Sequence, residues 1–148
     1  MLRVPLHLLD SDLPVPAYAK PGDAGLDLRA RGDAVVPCRG GRVLVPTGVA
    51  VAIPPGYAGL VLPRSGLALR HGITCLNSPG LIDSGYRGEI SVILINHDEA
   101  EDFVINRGDR IAQLVITAVA EVGFDLVESV DGLGAAERGA GGFGHTGT

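Results

Sequence analysis

Apolar and polar residues alternate along this chain in short runs, broken at close intervals by glycine and proline. That rhythm predicts many short strands joined by turns, not long helices. Residues 4–9 alternate loosely and make a first strand, with Pro5 favouring a sheet edge. Pro14, Pro16, Pro21 and Gly22 force an irregular link, after which residues 23–28 alternate acidic and apolar. Strands follow over 34–36, 42–45, 49–53 and 57–62, then over 73–76, 90–95, 103–105 and 110–116. Turn signals roughly 8–12 residues apart suit a sandwich or barrel, so the expected class is all-β.

Two stretches break the rhythm. Leu67-Ala68-Leu69-Arg70 favours a short helical turn with Arg64-Ser65-Gly66 at its start. Backbone N–H groups, a hydroxyl and a guanidinium gathered there make either an anion site or a capped helix with a solvated Arg. In the second, Gly85 and Gly88 bracket Tyr86 just after Pro79-Gly80. This predicts a tight hairpin over residues 80–90 whose arms present Asp83 and Tyr86. A carboxylate beside exposed backbone and one aromatic ring could hold a small planar ligand and activate a water. The alternative is a plain turn, capped by Asp83, with Tyr86 covering a strand edge.

Three polar residues have two readings each. Asp27 is the solvent face of a strand or a carboxylate that approaches a cation through water. Asn77 reads a base edge with its amide or belongs to the turn at Ser78-Pro79. Gln113, inside an apolar run, is satisfied in the sheet or points at substrate.

Composition narrows the field. The 148 residues suffice for one domain with its own core. With three Phe, three Tyr and no Trp, that core must be aliphatic. The 22 Gly and ten Pro agree with a turn-rich fold. A formal charge of −5 offers no footprint for nucleic acid or an anionic membrane, so a polyanionic ligand needs a local Arg cluster. Cys38 and Cys75 lack metal-ligand spacing and read as reduced thiols. The N-terminus carries no leader-like apolar run, which makes the cytoplasm the expected location. Beyond Gly123 the glycine-rich chain cannot build a core. Residues 138–148 hold a single Arg (Arg138), a single Phe (Phe143) and His145 among glycines, which suits either a flexible tail or a segment that orders over a ligand.

The order of these segments is more telling than any one of them. Residues 24–28, 63–68, 80–89, 110–114 and 138–144 closely resemble, in register, the five motifs of the homotrimeric dUTP pyrophosphatases (dUTPases). The resemblance implies a jelly-roll-like, distorted β-barrel over residues 1–122. It also implies a C-terminal arm over 123–148 that closes over a site of a homotrimer, with sites at subunit junctions. The implied reaction is hydrolysis of dUTP to dUMP and pyrophosphate with Mg²⁺, which limits uracil in DNA and supplies dUMP for thymidylate synthesis.

Carried over by motif, the resemblance implies that Asp83 deprotonates the attacking water and that Gln113 helps place it with the α-phosphate. Arg64, Ser65 and Gly66 would hold the phosphate chain, with Arg110 as a further phosphate contact. Backbone from Gly80 through Leu81 and Ile82 to Asp83, with Asn77, would pair with the uracil edge, while Tyr86 presses on C2′ of the sugar. Phe143 would stack on uracil, Arg138 would reach the γ-phosphate, and Asp27 would touch Mg²⁺ only through water. His145 stands where the family carries a Ser or similar small residue, and its charge predicts tail affinity that weakens as pH rises. Two rivals remain: a dCTP deaminase of the same fold, and a nucleotide-binding regulator that senses dUTP. The uninterrupted Asp83-Ser84-Gly85-Tyr86 and the complete tail motif favour the hydrolase.

Overall fold

The computed structural model describes residues 1–136 and 139. Its strands are β1 (Leu6–Leu8), β2 (Leu26–Arg29), β3 (Ala34–Val36), β4 (Arg42–Pro46), β5 (Val49–Val51) and β6 (Tyr57–Leu62). The one α-helix among the described residues, α1 (Ser65–His71), precedes β7 (Ile73–Cys75), β8 (Gly80–Ile82), β9 (Ser91–Asn96), β10 (Phe103–Ile105) and β11 (Arg110–Ala118). The ladders are antiparallel. They join β2-β11-β6-β8 in one sheet and β4-β9-β7 in another, with the smaller pairs β1-β5 and β10-β3. This is the expected all-β, jelly-roll-like architecture.

The core follows from period-two alternation. In β9, Val92, Leu94 and Asn96 point inward while their neighbours are half-buried. Leu28, Val45, Ile73 and Ile111 meet them, so aliphatic packing replaces the missing aromatics. Asn96 is tolerated there because its amide donates to Val36 O (3.1 Å) and Glu101 O (2.9 Å) and accepts from the Asp98 N–H (2.9 Å).

Two departures from regular β-structure position the functional residues. In β11, Arg110 lies opposite Arg29 and Gln113 opposite Asp27, with a register shift between Arg110 and Ala112. Residues three apart in a regular strand face opposite sides; the bulge absorbs one residue, so Arg110 and Gln113 share the face of Asp27. Ile111 and Ala112 both turn into the core.

The second departure corrects a sequence expectation. Residues 80–90 contain a turn, in which the Tyr86 N–H donates to Asp83 O (3.1 Å), but its arms do not pair with each other. β8 pairs with β6, whereas β9 pairs with β4 and β7. The segment is therefore the long tip of a wider β7–β9 hairpin, drawn aside onto the other sheet. The Gly85 and Gly88 signal located the turn, but local chemistry does not encode which strands the arms join. Gly88 has its own reason: a β-carbon there would collide with the Tyr86 hydroxyl.

After β11, the Val119 N–H donates to Gly56 O (3.0 Å). Residues 119–136 are exposed and form one short 3₁₀ turn, Val130–Leu133. Phe124 and Leu126 are 89% and 100% exposed, so this stretch has no apolar seat on its own chain. Among the described residues no helix is long and apolar enough to cross a membrane.

Candidate active site

The sequence-predicted residues fall into two groups at opposite edges of the β2-β11-β6-β8 sheet. The first group surrounds a cleft of about 380 Å³ beside β8, lined by Asn77, Gly80, Leu81, Ile82, Asp83 and Tyr86. In β8 Gly80 is buried and Leu81 exposed, and Gly80 brings no side chain to this wall. Asp83 follows β8 and is exposed to the cleft. The Tyr86 ring lies over Gly88 while its hydroxyl donates to Glu89 O (2.9 Å).

Glu89 anchors the loop. Its carboxylate accepts from the Gly48 N–H (2.7 Å) and from Arg31 Nη1 (3.2 Å), tying the tip to the β4–β5 turn. Next to it, Ile90 O accepts from both the N–H (3.1 Å) and the hydroxyl (2.6 Å) of buried Thr47. Glu89, Ser91 and the apolar walls Leu44 and Ile93 also line the cleft and were not singled out from sequence. Leu44, 61% exposed in mid-strand, carries a signal only once the fold is known.

The second group surrounds a cleft of about 330 Å³ lined by Gly25, Asp27, Arg64, Ser65, Gly66, Arg110 and Gln113, with Ala19, Asp23 and Ala24. Register builds it: Gln113 lies between Asp27 on β2 and Leu62 on β6, and the chain leaving β6 turns at once into Arg64 and α1. Gln113 Nε2 donates to Pro63 O (2.9 Å), which fixes the amide as the satisfied-in-the-sheet reading expects, while the residue also lines the cleft.

Arg64 is the N-cap of α1, in extended conformation and without a side-chain cap bond. The first helical bonds run from Leu67 and Ala68 to Arg64 O, so the Ser65 and Gly66 N–H groups precede them and face out of the helix start. Arg64 Nη1 donates to Arg110 O (2.8 Å). Asp27 stands between the two arginines, with Oδ2 3.0 Å from Arg110 Nη1 and Oδ1 3.7 Å from Arg64 Nε. Burial lowers the pKa of Arg64, and the nearby Arg110 charge lowers it further. The cleft thus gathers hydrogen-bond donors and cations, as a phosphate chain requires.

The two clefts share no lining residue. Asp83 and Gln113, the expected water-handling pair, belong to different ones. Arg138, Phe143 and His145 lie outside the described residues.

Comparison with known proteins converges. A family model described as dUTPase matches residues 11–147. The deoxyuridine 5′-triphosphate nucleotidohydrolase of Thermobifida fusca is 56% identical over 146 residues, 99% of this chain and 79% of that one. The enzyme of the same name from Caulobacter vibrioides is 57% identical over 141 residues, 93% of this chain and 88% of that one. Among solved structures, the Staphylococcus bacteriophage 80alpha dUTPase with dUPNHPP superposes with a TM-score of 0.84 at 26% identity, covering 100% of both chains. A mutant dUTPase from phage phi11 of S. aureus, described with a coordinated structural Mg(II) ion, matches with a TM-score of 0.79 at 26% identity, covering 88% of this chain and 99% of that one.

Proposed function

The chain belongs to the dUTPase family, and from that premise we propose that it hydrolyses dUTP to dUMP and pyrophosphate at sites shared between the subunits of a homotrimer. The observation that carries the shared site is the separation of its halves: a base-recognition cleft at the β8 edge and a phosphate cleft at the β2–β11 edge of one chain. Closed three-fold symmetry brings the first cleft of one subunit against the second of its neighbour and makes the sites equivalent. The arm over residues 123–148 leaves its own β-barrel domain, residues 1–122, and closes a site of the trimer.

In the assembled site Asp83 is the general base. Its exposed carboxylate takes a proton from the water that attacks the α-phosphorus. Gln113, its amide held by Pro63 O, places that water and the α-phosphate. Arg64, Ser65, Gly66 and Arg110 bind the phosphate chain through guanidinium, hydroxyl and backbone N–H groups. Positioning and charge neutralisation carry most of the rate.

Mg²⁺ fits this donor set only in a particular way. Among the described residues no group of three His, Cys, Asp or Glu could hold a metal, and the carboxylate of Asp27 is engaged by Arg64 and Arg110. Such an Asp27 would meet the ion through bound water, leaving direct ligation to the phosphates of a bound substrate. When bound, the ion neutralises phosphate charge and favours departure of pyrophosphate.

Selectivity rests on the first cleft. The backbone of residues 80–83, with Asn77, pairs with the uracil edge and leaves no room for a 5-methyl group. Cytosine reverses donor and acceptor at position 4 and leaves a buried group unpaired, a cost of about 1–3 kcal/mol. The Tyr86 ring, pinned through its hydroxyl to Glu89 O, rejects a ribose 2′-hydroxyl. From the tail, Phe143 stacks on uracil, and Arg138 and His145 reach phosphate. An enzyme that clears dUTP is expected where deoxynucleotides are made, in keeping with the cytoplasmic location that the sequence suggests.

The test is pyrophosphate release from dUTP, UTP, dTTP and dCTP with Mg²⁺, for the intact protein and for Asp83→Asn. Turnover of dUTP alone, abolished in the variant while dUTP still binds, supports the reading. Binding of dUTP without pyrophosphate release by the intact protein overturns it in favour of a sensor, and ammonia release from dCTP overturns it in favour of a deaminase.

A further inference from the structure

Arg70, in the last turn of α1, escapes both the motif and the lining of either cleft, yet its charged end lies at the start of the helix. A β-carbon placed on Gly66 would stand 3.0 Å from Arg70 Nη2 and 3.2 Å from Nη1. The side chain therefore runs back one turn, as helical side chains do, and its guanidinium lies over the α-carbon of Gly66. A side chain at position 66 would press on the guanidinium and displace it.

The position is costly for a cation in the free protein. The N-terminal end of a helix carries partial positive charge, α1 has no acidic residue in its first turn, and Arg64 already stands at the N-cap. Arg70 is near enough that its charge further disfavours protonation of Arg64. Among the described residues no carboxylate forms an ion pair with Arg70; Asp27 is taken by Arg64 and Arg110. Asp23, the other acid of the cleft, accepts from the Lys20 N–H (2.8 Å). Among the described residues Arg70 thus lies over Gly66 without a carboxylate partner, beside the cleft in which Arg64 and Arg110 share Asp27.

We propose that Arg70 is a further phosphate-binding residue, whose guanidinium, folded over Gly66, joins Arg64 and Arg110 in gripping the polyphosphate chain of the substrate. The proposal rests on the dUTP-hydrolysing reading for the identity of the chain, while the cluster itself requires only a polyphosphate. Arg70 contributes binding and adds no step to the reaction.

The experiment compares the intact trimer with Arg70→Gln and Arg70→Lys, using dUTP turnover, binding of inorganic triphosphate and thermal unfolding without ligand. Loss of one charge-assisted contact predicts that R70Q raises KM for dUTP and weakens inorganic triphosphate by about tenfold each. The fall in triphosphate affinity with added salt becomes shallower, R70K recovers part of the loss, and the Tm without ligand is unchanged or higher. Unchanged KM and triphosphate affinity in R70Q would overturn the proposal and leave Arg70 a solvated side chain. A lowered Tm, with kcat and KM both impaired and no rescue by R70K, would also overturn it and make the residue a support of α1. An intact protein that binds inorganic triphosphate through Arg70 but does not hydrolyse dUTP would refute the substrate while keeping the cation.

Discussion

The side chain of Gln113 lies against the α-carbon of Gly25, in the space that any side chain at position 25 would need. A β-carbon built on Gly25 would come within 3.0 Å of Gln113 Cδ and 3.1 Å of Gln113 Cβ, and closer still to the amide oxygen. The absence of a side chain at Gly25 thus leaves the space that the Gln113 amide occupies.

Gly25→Ala is accordingly expected to cost about 1–3 kcal/mol of stability, the usual range for overpacking. Because the amide is displaced from Pro63 O, kcat is expected to fall more than KM rises. Denaturant unfolding and steady-state kinetics check both. In a Gln113→Ala background most of the stability penalty should vanish, since the two residues share one volume.

Glu89 is expected to matter chiefly through the loop that it anchors. Glu89→Ala leaves the Gly48 N–H and Arg31 without their carboxylate and loosens the loop that holds the Tyr86 hydroxyl. A stability loss of about 1–3 kcal/mol follows from the unpaired donors. The specific signature is a smaller ratio of kcat/KM for dUTP over UTP, because a mobile Tyr86 ring discriminates less well against the 2′-hydroxyl. Unchanged discrimination would separate Glu89 from substrate selection.

The buried thiol of Cys75 gives a pH prediction. Burial pushes its pKa from 9.0 up to about 11, so the folded state holds the proton where the unfolded chain releases it. Its contribution to stability is complete below pH 9, falls between pH 9 and 11, and is spent above that. Urea unfolding across this range should show a decline that Cys75→Ala lacks. At pH 8 the native protein should protect Cys75 from alkylation, with reaction on unfolding.

Strand positions were legible in the sequence because turn residues and period-two alternation are local signals. The runs at 34–36, 42–45, 57–62 and 110–116 coincide with β3, β4, β6 and the inner part of β11. Pairing was not local, which is why residues 80–90 read as a closed hairpin although β8 joins β6. The same limit hid the bulge that turns Arg110 and Gln113 to one face, since nothing around Ile111 marks it in isolation. The acidic run 97–102 is largely exposed, yet Asp98 accepts from the Ala100 and Glu101 N–H groups and Asp102 from the Cys38 N–H, bonds that composition alone does not announce. Motif order points to the proposed site residues, but a sequence gives no sign that Asp83 and Gln113 open onto different clefts of one chain.

That division is the centre of the account, and mixing two dead variants tests it directly. Asp83→Asn spoils only the β8-edge half of a site, and Gln113→Ala only the half at β2–β11. Each homotrimer should be inactive. If the halves come from different subunits, co-refolding equal amounts should restore about a quarter of wild-type dUTP turnover per site, because random assembly unites two intact halves that often. No recovery in mixed trimers of confirmed composition would mean that both residues act within one chain, and the shared site would be wrong.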